Sequence, residues 1–422
     1  MVETKTILTV NCGSSSLKFA LYRARQRTHR AVSQLSQTSQ GWQETQRYAG
    51  VIERIGMADG LFHVTGTHAN AQAQPVARQP VQVHDHSAAL HYVLDWLEPR
   101  MDGHPLDAVG HRVVHGGSAY EQPQHITSEV IETLRRIAPL APLHMPIEIA
   151  AIETIRARYP SLPQVASFDT AFHRTMPRIA QLFGLPRTLL DDGVLRYGFH
   201  GLSYEYIMNE LEREASDAKK SLAEYAGQRI VIAHLGNGAS MVAVHDGRSV
   251  DTTMGLTPIG GLVMSTRSGD LDPGVLLYLL DAKQMTSVDI RQQVEQAGGL
   301  LGVSGRSADM RELLDQMAHD TWAEEAVALF SYSARKHLGA LVSVLGGIDT
   351  LVFTGGIGEH AATVRHRICG DLGYLGLKLD PARNATDAPI ISLENGPVAV
   401  RVIHTNEELM IARHTLHALS VI

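Results

Sequence analysis

The residues best suited to chemistry in this sequence lie in short glycine-rich runs that follow apolar segments. Asn11–Lys18 (NCGSSSLK) joins two β-rich runs through small residues. Small residues let backbone N–H groups approach an anion, serine hydroxyls add donors, and Lys18 adds charge. The spacing is not that of a P-loop, which needs Gly-Lys-Ser/Thr opening a helix. A plain hairpin turn is the competing reading. His234–Gly238 (HLGNG) is a second anion cradle, because Asn and Gly both tolerate positive φ. Thr354–Glu359 (TGGIGE) follows a strand pattern and opens a helical one, placing N–H groups at a helix start. It lacks the GxGxxG spacing of a dinucleotide fold. Arg112 lies in an apolar run, GHRVVHGG, where an unpaired charge is costly, so it needs an anionic partner. A structural salt bridge competes with a substrate role there. Arg267 lies in the turn-forming STRSGDLDP, and His200 in RYGFHG, where a lone histidine is more often structural. Cys and His show no metal-ligand spacing. Together the turns and isolated arginines point to a phosphate-handling enzyme.

The elements that must position these groups follow an α/β rhythm. The chain has 422 residues, which predicts two or three domains. A net charge of −7 argues against a nucleic-acid or membrane-surface partner. Two cysteines, Cys12 and Cys369, cannot build a disulfide framework, and a reducing cytoplasm is the expected compartment. The apolar run Ile7–Val10 is too short for a signal-peptide core, and no stretch suits a membrane span. Strands are expected at Thr6–Val10, Leu17–Tyr22, Gln164–Ser167, Arg229–His234, Ser240–His245 and Thr350–Phe353, and a helix at His86–Glu98. Arg23–Tyr48 and His68–Pro80 read as polar surface excursions, the first a long loop or insertion. The strand–glycine turn–strand layout occurs twice and suggests a duplicated core.

The ordered set NCGSSSLKF, GHRVVHGG, LAPLH, FDTAFHRTMP, RYGFHG, HLGNG, DTTMGLTP, TRSGDLDPG, GLLGVSG and FTGGIGE closely resembles the acetate kinase family, from about Thr6 to Thr415. The resemblance implies an α/β fold of two domains with duplicated ribonuclease-H-like, actin-like ATPase cores around a central cleft. The implied boundaries are 1–170 plus 405–422 for an acyl- and phosphate-side domain, and 171–404 for a nucleotide-binding and dimerisation domain. It implies catalytic roles for Arg112, Asp169, His200 and Arg267. Val114, Leu143, His144, Phe199 and Pro258, with Arg112, match the acyl-substrate site. Ser14, Ser16, Lys18, His234, Leu235, Gly236, Asn237, Gly238, Asp309, Met310, Arg311, Gly356, Ile357 and Gly358 match phosphate- and nucleotide-binding positions. Asn11 and Glu407 match positions near a metal, Mg2+ or alternatively Mn2+. The implied substrates are acetate and ATP, with ADP as product, in a cytoplasmic homodimer without nucleic-acid or membrane partners.

The implied reaction suits these residue types. Acetate resembles a glutamate side chain, with a pKa near roughly 4.3, and is ionised at pH 7 without a general base. Asp169 is therefore read as a positioning group. A propionate kinase of the same fold is the alternative, ahead of a sugar kinase or a non-catalytic ATP-binding module. Several positions depart from the family pattern: Met145, Ile147, Glu148, Leu202, Tyr204, Gly260, Ser265 and His360. These departures are expected at the margins, around the cleft rim, a hinge or a subunit interface.

Overall fold

Strands β1 (Thr4–Cys12) and β2 (Ser16–Gln26) pair antiparallel with Asn11 opposite Lys18, so the Gly13–Ser15 turn closes where the sequence places its small residues. The computed structural model describes residues 3–26, 41–66, 76–101, 103–217 and 227–420. The chain divides into two compact units, Met1–Ala171 with Asn406–Ile422, and Phe172–Thr405.

In the first unit, β3 (Trp42–Glu53), β4 (Leu61–Gly66) and β5 (Val76–Pro80) extend the hairpin as antiparallel strands. On the other side β6 (Ala108–Val113) and β8 (Gln164–Phe168) run parallel to β1, with the short β7 (Gln124–His125) at the edge. Arg23–Tyr48 is therefore not one long loop. Residues 23–26 and 42–48 are paired strand, in register from Tyr22 opposite Gln46 to Gln26 opposite Trp42. Polar composition hid these arms because a ladder is held by backbone bonds and tolerates polar side chains on its open face. The remainder of that stretch, 27–40, and 67–75 of the second polar stretch lie outside the described residues.

Strand periodicity decides which side chains meet the site. Leu8 and Val10 face the helix His86–Leu97, packing with Leu90, Val93 and Leu94. Ile7 faces the opposite way, against Ala412 and Leu416 of the helix Glu407–Ser420. Asn11 falls on the Ile7 face and meets the first turn of that helix. On β6 a β-carbon at Gly110 would stand 2.2 Å from Thr415 Oγ1, so glycine is what lets this helix lie against the sheet. Arg112, two residues on, follows on the same face.

In the second unit β9 (Arg229–Leu235), β10 (Ala239–His245) and β11 (Arg248–Thr252) are antiparallel, while β12 (Thr350–Thr354) and β13 (Ala399–Val402) run parallel to β9. The order β11-β10-β9-β12-β13 repeats the β3-β2-β1-β6-β8 portion of the first sheet, in both order and sense. The helix Gly201–Asp217 covers one face through Tyr204, Ile207 and Leu211. The helix Thr321–Leu345 also packs on this sheet, capped by the Asp320 carboxylate and ended by Gly346 at φ 69°. Both cysteines are buried and free, and burial pushes each thiol up to about 12, which keeps them unreactive. Among the described residues no helix is long and apolar enough to cross a membrane.

Candidate active site

The parallel register of β6 and β8 sets Arg112 opposite Ser167, and Asp169 follows directly with its N–H on Val113 O at 3.0 Å. Arg112 Nε and Nη2 both donate to Asp169 Oδ2, at 3.0 and 2.5 Å. The anionic partner that the sequence demands is thus Asp169, but it is not alone. Glu148 Oε1 stands 3.8 Å from Arg112 Nη1, and its Oε2 accepts the Val114 N–H at 3.0 Å. Burial by itself lowers the Arg112 pKa, but the carboxylates of Asp169, Glu407 and Glu148 outweigh it and raise it. Burial pushes Glu148 up to about 8, against the pull of Arg112 and the Val114 N–H.

The placement of Glu148 follows from its helix. Met145–Arg158 buries Met145, Glu148, Ile149, Ile152 and Ile155, a stripe at i, i+3, i+4, i+7 and i+10. A carboxylate on that stripe has nowhere to go but inward. Leu143 and His144 lead into the helix, with His144 at its N-cap position and Pro146 in the first turn, where its missing N–H costs nothing.

At the end of β1, Asn11 Nδ2 donates to Glu407 Oε2 at 3.3 Å and Glu408 Oε1 at 3.4 Å. Ser14 and Lys18 are exposed and Ser16 is half-buried. Gly13 N–H donates to Ser16 O at 2.8 Å, and a β-carbon at Gly13 would meet Ser16 Oγ at the same distance.

The second unit holds its own cluster. His200 sits at φ 60°, a left-handed conformation reached between Gly198 and Gly201. There it turns Nδ1 to Ser240 Oγ at 2.8 Å, and Ser240 Oγ is also bonded to the Tyr204 hydroxyl. The His200 and His234 rings stack at 4.3 Å between centroids, and His234 Nδ1 is held by Ser203 Oγ at 2.8 Å. A β-carbon on Gly238 would stand 3.1 Å from His200 Nε2 and 3.5 Å from Arg267 Nη1. Both donors therefore converge on the glycine turn between β9 and β10. Arg267 Nη1 is steadied by Pro258 O at 3.1 Å. Asn237 accepts from Ser265 twice, N–H to its carbonyl at 3.1 Å and Oγ to Oδ1 at 3.3 Å. Leu235 is fully buried and contributes only its backbone, and Gly236 N–H closes the turn onto Gly238 O at 3.0 Å.

The remaining predicted positions lie on other elements of this unit. Asp309 caps the helix Met310–Gln316, accepts from the Arg311 N–H and is bonded by the exposed Arg311 guanidinium at 2.7 Å, while the Met310 side chain is core. Gly355, at φ 76°, opens the next turn, in which Gly356 is exposed, Ile357 half-buried and Gly358 buried. Phe199 is buried, and its carbonyl accepts from His173 Nε2 at 3.0 Å.

The expectation that the departures lie at the margins is corrected at three positions. Glu148 touches Arg112 and the Val114 backbone, Tyr204 stands behind His200 through Ser240, and Ser265 holds Asn237. None of the three was singled out as a site residue. For Glu148 the sequence offers only its spacing from the buried Met145, Ile149, Ile152 and Ile155, and nothing that names its partners. Tyr204 and Ser265 carry no comparable local signal.

The sequence profile of the acetokinase family matches residues 6–413. An acetate kinase of Rhodopseudomonas palustris is 45% identical over 97% of each chain. The crystal structure of a propionate kinase from Francisella tularensis superimposes with a TM-score of 0.83 at 35% identity, covering 97% of this chain and 98% of the other. That of Porphyromonas gingivalis acetate kinase gives 0.80 at 34% identity, covering 98% and 100%. The two sheets and their order place the protein in the actin-like ATPase fold class, among kinases that act on carboxylates. Within that class, the chain belongs to the acetokinase family.

Proposed function

We propose that this protein is an acetate kinase, transferring the γ-phosphoryl group of ATP reversibly and in line to acetate, to give acetyl phosphate and ADP. The observation that carries the reading is the convergence of His200 Nε2 and Arg267 Nη1 on Gly238. Two side-chain donors over a glycine turn suit a transferring phosphoryl group, whose transition state gathers charge on its equatorial oxygens. The hydrogen-bond chain behind His200 supports a donor role. Tyr204 donating to Ser240, and Ser240 to His200 Nδ1, leaves the proton on Nε2.

No residue has to deprotonate the nucleophile, because acetate is ionised at pH 7. The difficulty is charge: two unit charges at 4 Å repel by about 4 kcal/mol at an effective dielectric of 20. Arg112 offsets this on the acyl side, with Asp169 fixing its orientation. By the family resemblance, Val114, Leu143, Phe199 and Pro258 are assigned to the substrate methyl and His144 to the substrate. Ser14, Ser16, Lys18, His234 and the turn Leu235–Gly238 are assigned to phosphate, and Asp309–Arg311 with Gly356–Gly358 to the nucleoside.

The residues at the end of β1 fit a hard cation. The Asn11 amide meets the carboxylates of Glu407 and Glu408, an all-oxygen donor set once the amide turns its carbonyl inward. A bound Mg2+, or Mn2+, would supply neutralisation of the phosphate charge. Asn11 and Glu407 are the proposed ligands.

A homodimer in the cytoplasm completes the proposal. The helix Pro273–Asp281 (PGVLLYLLD) buries none of its residues, with Leu277 59% and Tyr278 54% exposed. So apolar a helix left open suits a second copy of the chain. Propionate kinase is the second reading, since the Francisella tularensis structure bears that name. Trapping the acyl phosphate as a hydroxamate, with acetate, propionate, glucose and glycerol as acceptors, separates these readings from a sugar kinase.

A further inference from the structure

Glu359, His360 and His404 meet in the second unit. Glu359 is only 8% exposed. Its Oε1 is fixed by the N–H groups of Gly355 and Thr405, at 2.9 and 3.2 Å. This leaves Oε2 turned toward two exposed imidazoles, 2.6 Å from His404 Nδ1 and 3.8 Å from His360 Nε2. One ligand atom from each of the three residues lies within 4.8 Å of the others. A second carboxylate stands behind the cluster. Asp387 Oδ2 is 3.7 Å from His360 Nδ1, and Asp387 Oδ1 is held at 2.5 Å by Arg365, a fully buried guanidinium.

We propose that Glu359, His360 and His404 bind a divalent transition-metal ion of the zinc type, with Asp387 orienting His360 from behind. Ligand bonds of about 2.0–2.2 Å in a tetrahedron place ligand atoms about 3.3–3.6 Å apart. The three atoms bracket that spacing, and the exposed imidazoles can swing to meet it while Glu359 stays fixed. Water completes the fourth position. Two nitrogens and one carboxylate oxygen select a borderline ion over magnesium, which prefers oxygen donors. A carboxylate on the far nitrogen of a metal-binding histidine fixes its tautomer and orientation, and Asp387 is placed for that. His360 is one of the positions at which the sequence departs from the family pattern. The bound ion would tie the helix Gly355–His360 to the segment leaving β13, and so stabilise the fold.

The test uses the full chain, freed of any affinity tag and stripped with a chelator. Zinc is titrated by calorimetry against a competing chelator. The expected result is one tight zinc per chain, with a rise in melting temperature. His360→Asn and His404→Asn should each weaken that site at least tenfold and abolish the rise, while His91→Asn, at an exposed histidine elsewhere, changes neither. Cobalt(II) should give intense visible bands with the wild-type chain and lose them with either variant. The proposal is overturned if zinc spreads weakly over the surface histidines, or if His360→Asn and His404→Asn keep the wild-type affinity.

Discussion

Arg112 faces two buried carboxylates, and the second of them, Glu148 at 3.8 Å, also holds the backbone N–H of Val114. One side chain thereby links the guanidinium proposed to receive the substrate anion with the residue proposed to limit its length. This makes Glu148 the most informative position to change.

Glu148→Gln keeps an acceptor for Val114 and removes the titrating group. The folded state raises Glu148 from its ordinary 4.5 to about 8. It therefore retains a proton that the unfolded chain releases, and stability falls as pH rises from about 4.5 to about 8. Urea unfolding at pH 5, 6.5 and 8 should show this decline in the wild type and a flatter profile in the variant. Acetate KM should rise above about pH 8 in the wild type, where ionised Glu148 competes for Arg112, and should rise less in the variant. Equal profiles for the two proteins would remove Glu148 from the account.

The two arginines differ in their partners, Arg112 held by the Asp169 carboxylate and Arg267 by the Pro258 carbonyl. Arg267→Ala should lower turnover by about 10²–10³, the scale for losing one transition-state donor, and still unfold near the wild-type midpoint. Arg112→Ala should lower turnover and also cost about 3–5 kcal/mol of stability, because the buried Asp169 carboxylate loses its counter-charge. Steady-state kinetics paired with thermal melts distinguish the two cases.

His200 allows conformation and chemistry to be separated. Asparagine tolerates its positive φ, so His200→Asn should fold normally yet lose about 10² or more in kcat with the Nε2 donor gone. Tyr204→Phe removes only the hydroxyl bonded to Ser240. It should lower kcat severalfold and leave acetate KM nearly unchanged, since it acts through His200 and touches no substrate. A Tyr204→Phe enzyme with wild-type kcat would dismiss the Tyr204–Ser240–His200 chain.

Leu277→Asp combined with Tyr278→Asp should convert a dimer to a monomer in light scattering, because burying those charges against a second copy is costly. A wild-type chain that is already monomeric contradicts the dimer proposal.

Much of this arrangement is legible in the sequence because it is written in local patterns. The β1–β2 and β9–β10 hairpins show their period and their glycine turns, and Arg112 in an apolar run demands the carboxylate that Asp169 supplies. What is not legible depends on register between distant segments. Glu148 and Val114 meet only because the helix Met145–Arg158 lies against the end of β6, and nothing near residue 148 encodes that neighbour. Tyr204 and Ser265 likewise gain their roles from Ser240 and Asn237, on other elements. The strand arms at 23–26 and 42–48 escaped a reading by polarity because ladder bonds need no apolar side chains.

The most direct test of the central claim is the specificity constant, kcat/KM, for acetate, propionate and butyrate with MgATP, with acyl phosphate trapped as hydroxamate. A methylene in an apolar pocket discriminates by about 1–3 kcal/mol. Acetate should therefore lead, propionate should follow by about 10- to 200-fold, and butyrate should be poorer still. A preference for propionate, or ATP hydrolysis with no acyl phosphate formed, would contradict the account.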